Sequence, residues 1–336
     1  MSLLSKIFSL RYILVFALPF FVGVLGYALT CEQVIQKQRS LLEKPLNESR
    51  VEYKLIANPK MALASVVKMI REAKVSLDFS TFIIRSDNAG QVVMAELYAA
   101  AERGIKIRIL VDSMGSLSVA RGDMRTLLTQ KNVELVTFNS LTKWSRYPKT
   151  FILWLIDTFS FGGFNIDRSQ DKLFHNRMHD KIIIADNGLP SMTVMVGGRN
   201  ASDHYFGVGT SENSPLTFMD MNVLIRPKDP NSDFSHNLND YFESLYYHQT
   251  NQLILQKKFN LFSSDEKIQA KIKKAVEDNT WLEDAIKWMN ESHYFETEFE
   301  SGTLKLVHEL QNITQKKNLF NFKTYNWKGT VNNNSV

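Results

Sequence analysis

The chain has 336 residues and a single cysteine, Cys31. A lone cysteine excludes an intrachain disulfide and a thiolate metal cluster. There is no G-x-G-x-x-G turn and no Walker loop, so neither of the common nucleotide cradles is encoded. The other histidines show no metal-ligand spacing around His179; His175, four residues upstream, reads as a surface histidine or a phosphate contact. There is no internal repeat and no long basic block. The balance of 40 Lys and Arg against 35 Asp and Glu leaves a net charge of +5. That mild excess permits anionic partners, lipid head groups or nucleic acid among them, without selecting one. What is present in quantity is apolar: 44% of residues, ample for a packed core in one large domain or two small ones.

Long uncharged runs are scarce, which makes Tyr12 to Leu29 stand out. As a helix its residues would span about 27 Å, close to the ~30 Å hydrocarbon layer. Lys6 and Arg11 precede it, so an uncleaved anchor would leave the body on the non-cytoplasmic side, although Lys37 and Arg39 weaken that orientation. A cleaved signal peptide ending near Gly26-Tyr27-Ala28 competes with the anchor, and Ala28 to Cys31 makes a poor lipoprotein box. Residues 1–30 are thus expected to be an anchor or signal, and 31–50 a polar tether. A second unusual stretch, Lys143 to Phe164, mixes aromatics with Lys143, Arg146 and Lys149. It is too short to span a bilayer, and reads equally as a membrane-interface segment or as a buried cap over the active site.

Between these, the pattern alternates. Met61 to Lys74 carries apolar residues at helical spacing, and Val75, Leu77 and Phe79 alternate with polar neighbours as a strand would. Gln91 to Arg103 is helical, with Gly104 placed to cap it. Ile105 to Val111 and Val133 to Phe138 read as further strands. Strand, helix, strand, helix in this order predicts an α/β sandwich, a mixed sheet flanked by helices. Past His248 the character changes. Ser264 is placed to cap a charged helix from Asp265 to Ser292, with Trp281, Ala285, Trp288 and Met289 as its apolar face. Residues 51–250 are therefore expected to form the catalytic domain and 251–336 a helical extension.

The chemistry is concentrated in HNRMHDKIIIADN, where His179, Lys181 and Asp186 form His-x-Lys-x4-Asp. Residues two apart on an extended chain share a face, so His179 and Lys181 are expected to project into one site. An imidazole can attack phosphorus or carry a proton near neutral pH, and an ammonium offers a point charge and three donors to phosphate oxygens. This set, followed by VGGRNASDHYFG (Val196 to Gly207) and FMDMNVLIRP (Phe218 to Pro227), resembles the phospholipase D superfamily. It looks most like the N-terminal half of the C-type bacterial cardiolipin synthases, and the likeness runs roughly from Leu55 to His248.

The resemblance implies a phosphohistidine mechanism that needs no metal and no cofactor. His179 is then the nucleophile, Lys181 and Asn200 bind the substrate phosphate, and Asp220 is the carboxylate that orients the imidazole. Asp186 is expected to act structurally, at the turn after its strand. Gly198 stands where relatives often have serine, leaving its backbone N–H as the possible donor. Each has a plainer reading: a core histidine, a solvated lysine, a turn asparagine after two glycines. Ten residues separate Asp186 from Gly197, more than is common in the family, and NGLPSM reads as a long hairpin turn.

The second departure is larger. Two-domain members carry two such motifs face to face, one histidine attacking and the other protonating the leaving group, whereas no other His-x-Lys occurs here. Three readings follow. The chain is a membrane-associated phosphatidyltransferase or phosphodiesterase acting on an anionic phospholipid, completed by a homodimer or a separate second half. Alternatively it is a single-motif nuclease that dimerises, which the diffuse charge disfavours. Or it is an inactive half-enzyme.

Overall fold

The computed structural model describes residues 47–121, 123–140, 177–208, 217–248, 251–254, 270, 273–274 and 277–306. The runs Tyr12 to Leu29 and Lys143 to Phe164 lie outside the described residues, as do most of the expected tether and the first part of the helix proposed from Asp265. Among the described residues no helix is long and apolar enough to cross a membrane.

Strand β1 (Ser49–Ile56) leads into α1 (Pro59–Glu72). Asn58 caps that helix by accepting from the Met61 N–H at 3.0 Å, and Pro59 follows at a position where its missing N–H costs nothing. Then come β2 (Ser76–Thr81), α2 (Asn88–Glu102), β3 (Lys106–Asp112), α3 (Ser113–Arg121), a 3-10 turn at Asp123–Thr129 and β4 (Val133–Phe138). Gly104, at φ +88°, closes α2 as the sequence led one to expect. The hairpin β5 (Ile182–Ala185) to β6 (Thr193–Gly197) is joined by the long NGLPSM turn. After it come a short helix, α4 (Asp203–Phe206), then β7 (Asn222–Pro227), α5 (Asp233–Tyr246) and β8 (Gln252–Leu253). Helix α6 (Thr280–Glu291) and β9 (Glu300–Leu304) complete the described chain.

Among the described residues all nine strands belong to one sheet, in the order β8-β4-β3-β2-β5-β6-β7-β1-β9. β2, β3 and β4 run parallel through helical crossovers, while the hairpin and both edges are antiparallel. This is the mixed α/β sandwich that the alternation implied. The period of two sorts each strand between two cores. Leu77, Phe79, Ile183 and Ala185 pack beneath α1 and α2, whereas Ile182, Ile184 and Leu110 pack against Phe234, Leu238 and Phe242 of α5.

The extension differs from what the sequence led one to expect. It is not simply helical: β8 and β9 form the two edges of the sheet, so the boundary drawn at residue 250 cuts through one hydrogen-bonded layer. Its helix is fixed to the body by Arg71 of α1, which binds Glu96 of α2 (Nε, 2.9 Å) and Glu283 of α6 (Nη1, 3.0 Å) together. Lys54 of β1 is buried and donates to the carbonyls of Tyr294 (2.7 Å) and Thr297 (3.1 Å) just before β9. The buried face of α6 is Leu282, Ile286 and Met289, while Trp288, expected in that face, is half exposed.

Candidate active site

The register brings one set of strand termini to a single rim of the sheet. β1, β2, β3, β4 and β6 end there, and β5 and β7 begin there: Ile56 pairs with Asn222, Ser80 with Ile182, and Gly197 with Asn222. Of the candidate site residues, His179, Lys181, Gly198, Asn200 and Asp220 sit on this rim and Asp186 does not; His175 lies outside the described residues.

His179 and Lys181 occupy the extended run just before β5, and parity places Lys181 on the α1/α2 face with Ile183. The two side chains meet at Phe82, the residue directly after β2. The His179 ring lies 4.9 Å from the Phe82 ring centroid and the Lys181 ammonium 5.6 Å from it. His179 is exposed, whereas Lys181 is only 7% exposed. The Lys181 ammonium folds back to donate to the His179 carbonyl. It also lines a small cavity of about 30 Å³ with Ser80, Thr81, Arg199 and Asn222 at its polar side and Val66 and Val93 behind. Burial pushes the lysine down to about 8, against the pull of Asp180 and Asp220. Partial burial also lowers the imidazole below the ordinary histidine value, and the Lys181 charge adds to this. Asp180, Asp112 and Asp220 oppose it. At neutral pH the imidazole is therefore the neutral, nucleophilic form.

Asn200 is 1% exposed, and its Oδ1 accepts from the Ile83 N–H at 2.9 Å and from the Thr81 hydroxyl at 3.4 Å. Those two bonds fix which end is oxygen and leave Nδ2 as the donor available to an anion. Asp186 lies at the far end of β5, away from the rim. Its backbone adopts φ +53°, and its carboxylate accepts from the N–H groups of Lys74, Val75 and Ser76 and from the Ser191 hydroxyl. It ties the hairpin turn to the α1–β2 junction, a structural part.

Two expectations change. The Gly198 N–H is not left for a phosphate: it is donated to the Met221 carbonyl at 3.3 Å. Glycine is required there for a different reason, because a Cβ would sit 2.2 Å from the Asp220 carboxylate. Asp220 in turn accepts from the Met221 N–H at 2.8 Å and makes no hydrogen bond to the His179 ring; it reaches the imidazole through its field. A residue to which the sequence assigned no role holds this corner together. Arg199 is 4% exposed and donates to the carbonyls of Ile56 (3.1 Å), Ala57 (2.6 Å), Tyr205 (3.2 Å) and Asp220, and to Asn222 Oδ1 (2.8 Å). An arginine preceded by two glycines, with no carboxylate at a telling spacing, was its only signal. Among the described residues no three His, Cys, Asp or Glu side chains gather in a way that could hold a metal ion.

An α/β sandwich with a histidine, a buried lysine and a buried asparagine on one sheet rim has the parts of a phosphoester-handling domain. The chain belongs to the phospholipase D superfamily: the family described as cardiolipin synthase, PLD-like domain, matches residues 66–246. An uncharacterised protein of Helicobacter pylori strain J99 is 31% identical over 186 residues, covering 55% of this chain and 32% of that protein. Cardiolipin synthase C of Escherichia coli K12 is 29% identical over 163 residues, 48% of this chain and 29% of that enzyme. The match thus spans about a third or less of the length of these relatives. Among solved structures, the phospholipase D family member Nuc from Salmonella typhimurium is similar at 18% identity. That likeness covers 62% of this chain and 99% of that one, with a TM-score of 0.36.

Proposed function

We propose that the chain is a phospholipase D-like phosphatidyltransferase or phosphodiesterase of the cardiolipin synthase type, acting on an anionic phospholipid at a membrane. The observation that carries this is the convergence at Phe82: a neutral, exposed imidazole beside a buried ammonium, with the Asn200 amide donor on the same rim. In the first step an imidazole nitrogen of His179 attacks phosphorus and the P–O bond to the head-group alcohol breaks. The leaving alkoxide takes a proton, and a phosphohistidine remains. In the second step an acceptor alcohol, or water, attacks the same phosphorus, loses its proton and frees His179. Lys181 and Asn200 neutralise and orient the non-bridging oxygens, whose charge grows as the phosphorus becomes five-coordinate.

The proton for the leaving group needs a second acid. The chain has no second His-x-Lys, so a second copy or a separate half supplies it. Losing such an acid costs about 10²–10⁴-fold. The N-terminal run Tyr12 to Leu29 serves in this reading as the membrane attachment.

The test is an assay of the full-length protein in phosphatidylglycerol vesicles, with His179→Ala beside it, alone and after adding any separately encoded second half. Formation of cardiolipin or phosphatidic acid that disappears in the variant supports the reading. For a homodimer, specific activity should rise with protein concentration. Full turnover by a dilute monomer rejects the shared site. Hydrolysis of DNA with no lipid product rejects the lipid substrate and moves the chain to the nucleases.

A further inference from the structure

The sequence reading assigned nothing to Asp112, the last residue of β3. It is fully buried, at 0% exposure, and its carboxylate is engaged on every side. Oδ1 accepts from the N–H groups of Met114 (2.7 Å) and Gly115 (3.3 Å), the opening turn of α3. The same oxygen receives Arg177 Nη1 at 3.2 Å, and Oδ2 receives the Met178 N–H at 3.1 Å. Arg177 also donates to the Ser113 hydroxyl at 3.1 Å and to the Asn139 carbonyl at the end of β4, and Ser113 donates to that carbonyl at 2.8 Å. The Met178 side chain is buried beneath. Arg177 and Met178 are the two residues immediately before His179.

We infer that Asp112 is the positioning residue for the nucleophile. It grips the backbone one residue upstream of His179 and so sets where the imidazole meets Phe82 and the incoming phosphorus. The inference rests on the reading of His179 as the attacking group. A helix-capping role alone would explain the bonds to Met114 and Gly115. It does not explain why the second oxygen accepts from Met178, and why a partly buried arginine of the segment that delivers His179 is bound to the first. The charged groups that act on the imidazole are Lys181, Asp180, Asp112 and Asp220, so neutralising Asp112 also removes one of three carboxylates that hold its proton.

The discriminating variants are Asp112→Asn and Arg177→Gln in the full-length protein. Asparagine keeps an acceptor for the α3 cap but cannot accept from both Met178 and Arg177. For Asp112→Asn, kcat should fall about 10- to 100-fold, the cost of displacing a reacting group by roughly 1 Å, with KM little changed. The His179 titration, followed by side-chain NMR and assigned against His179→Ala, should move to lower pH. In Arg177→Gln the Asp112 charge keeps its backbone donors but loses its counter-charge, so the same titration should move to higher pH. Opposite displacements are the signature of a charge held against the imidazole; a merely structural loss would not give them.

A folded Asp112→Asn protein with wild-type turnover and unmoved titration overturns the inference. If Asp112→Asn does not fold, Arg177→Gln decides: an upward displacement supports the inference, and an unchanged titration and turnover overturn it. The NMR arm needs no activity, so a protein inert toward lipid would count against the proposed function while leaving Asp112 testable.

Discussion

Lys181 should weaken the fold that carries it. Its ammonium is 7% exposed, set among Val66, Val93 and Ile183, and burial moves it from 10.5 to about 8. At ~1.4 kcal/mol per pH unit of displacement, the charged form pays up to about 3 kcal/mol for its position. The cavity beside it opens toward the rim, and solvent there screens the charge, so about 1–2 kcal/mol is the reasonable share. Lys181→Met fills similar volume without the charge and gives up one hydrogen bond, to the His179 carbonyl. The variant should therefore be more stable at neutral pH by about 1–2 kcal/mol, a rise in Tm of roughly 2–8 °C for a domain of this size. Turnover should fall at least about 10²-fold, because the phosphate loses its cation.

The pH dependence makes this specific. A lysine whose folded value is depressed penalises the fold fully below about 8, and the penalty is relieved between 8 and 10.5, where the unfolded chain binds the extra proton. The Tm advantage of Lys181→Met should thus be widest below pH 8 and shrink across that window. Thermal unfolding of both proteins followed by circular dichroism across that range is the assay. A variant no more stable than wild type at neutral pH, or an advantage constant up to 10.5, refutes the picture of a desolvated ammonium.

Three further outcomes follow from the same geometry. The pH profile of kcat/KM should be bell-shaped: the acid limb is set by a His179 value below the usual one, and the alkaline limb lies near 8 where Lys181 loses its proton. Lys181→Arg should remove the loss near 8 and leave only the limb set by the general acid, which a pH–rate series would read. Gly198→Ala should drive the Asp220 carboxylate off its place at 2.2 Å and lower the His179 titration by NMR, while costing stability only ~1 kcal/mol or less. Asp186→Asn should cost about 2–4 kcal/mol, because one carboxylate serves three backbone N–H groups and a hydroxyl. The folded fraction should keep its specific activity, a pairing checked by urea unfolding beside an activity titration.

How much of this was legible depends on how local each cause is. β2, β3, β4 and β5 were readable because each buries apolar residues at period two or in a short unbroken run, and Val133–Phe138 appears with the bounds the sequence implied. β9 was not readable, since ESGTL has one large apolar residue and is held by backbone pairing to β1 rather than by burial. Gly302 gives its only clear steric requirement, the ring of Tyr53 lying 2.9 Å from where a Cβ would stand. In the site, the shared face of His179 and Lys181 follows from residue parity. Asp112 meets Arg177 across 65 positions and Arg199 reaches Ile56 across 143, so no spacing in the sequence could have assigned either one.

These long-range ties connect the edge of the sheet to the chemistry. β9 pairs with β1, and Lys54 fastens β1 to the carbonyls that precede β9. β1 ends in the Ile56 and Ala57 carbonyls, which anchor Arg199. Arg199 holds the backbone of Asp220 and the side chain of Asn222, and the residue after it is Asn200. The links made by Lys54 and Arg199 come from buried side chains, whose loss would leave polar atoms unsatisfied rather than merely loosened. The described segment after residue 250 is therefore part of the scaffold that sets Asn200 and the carboxylate acting on His179. The residues that carry the proposed reaction are few and near one another on the rim, and the residues that hold them there are spread from β1 to β9.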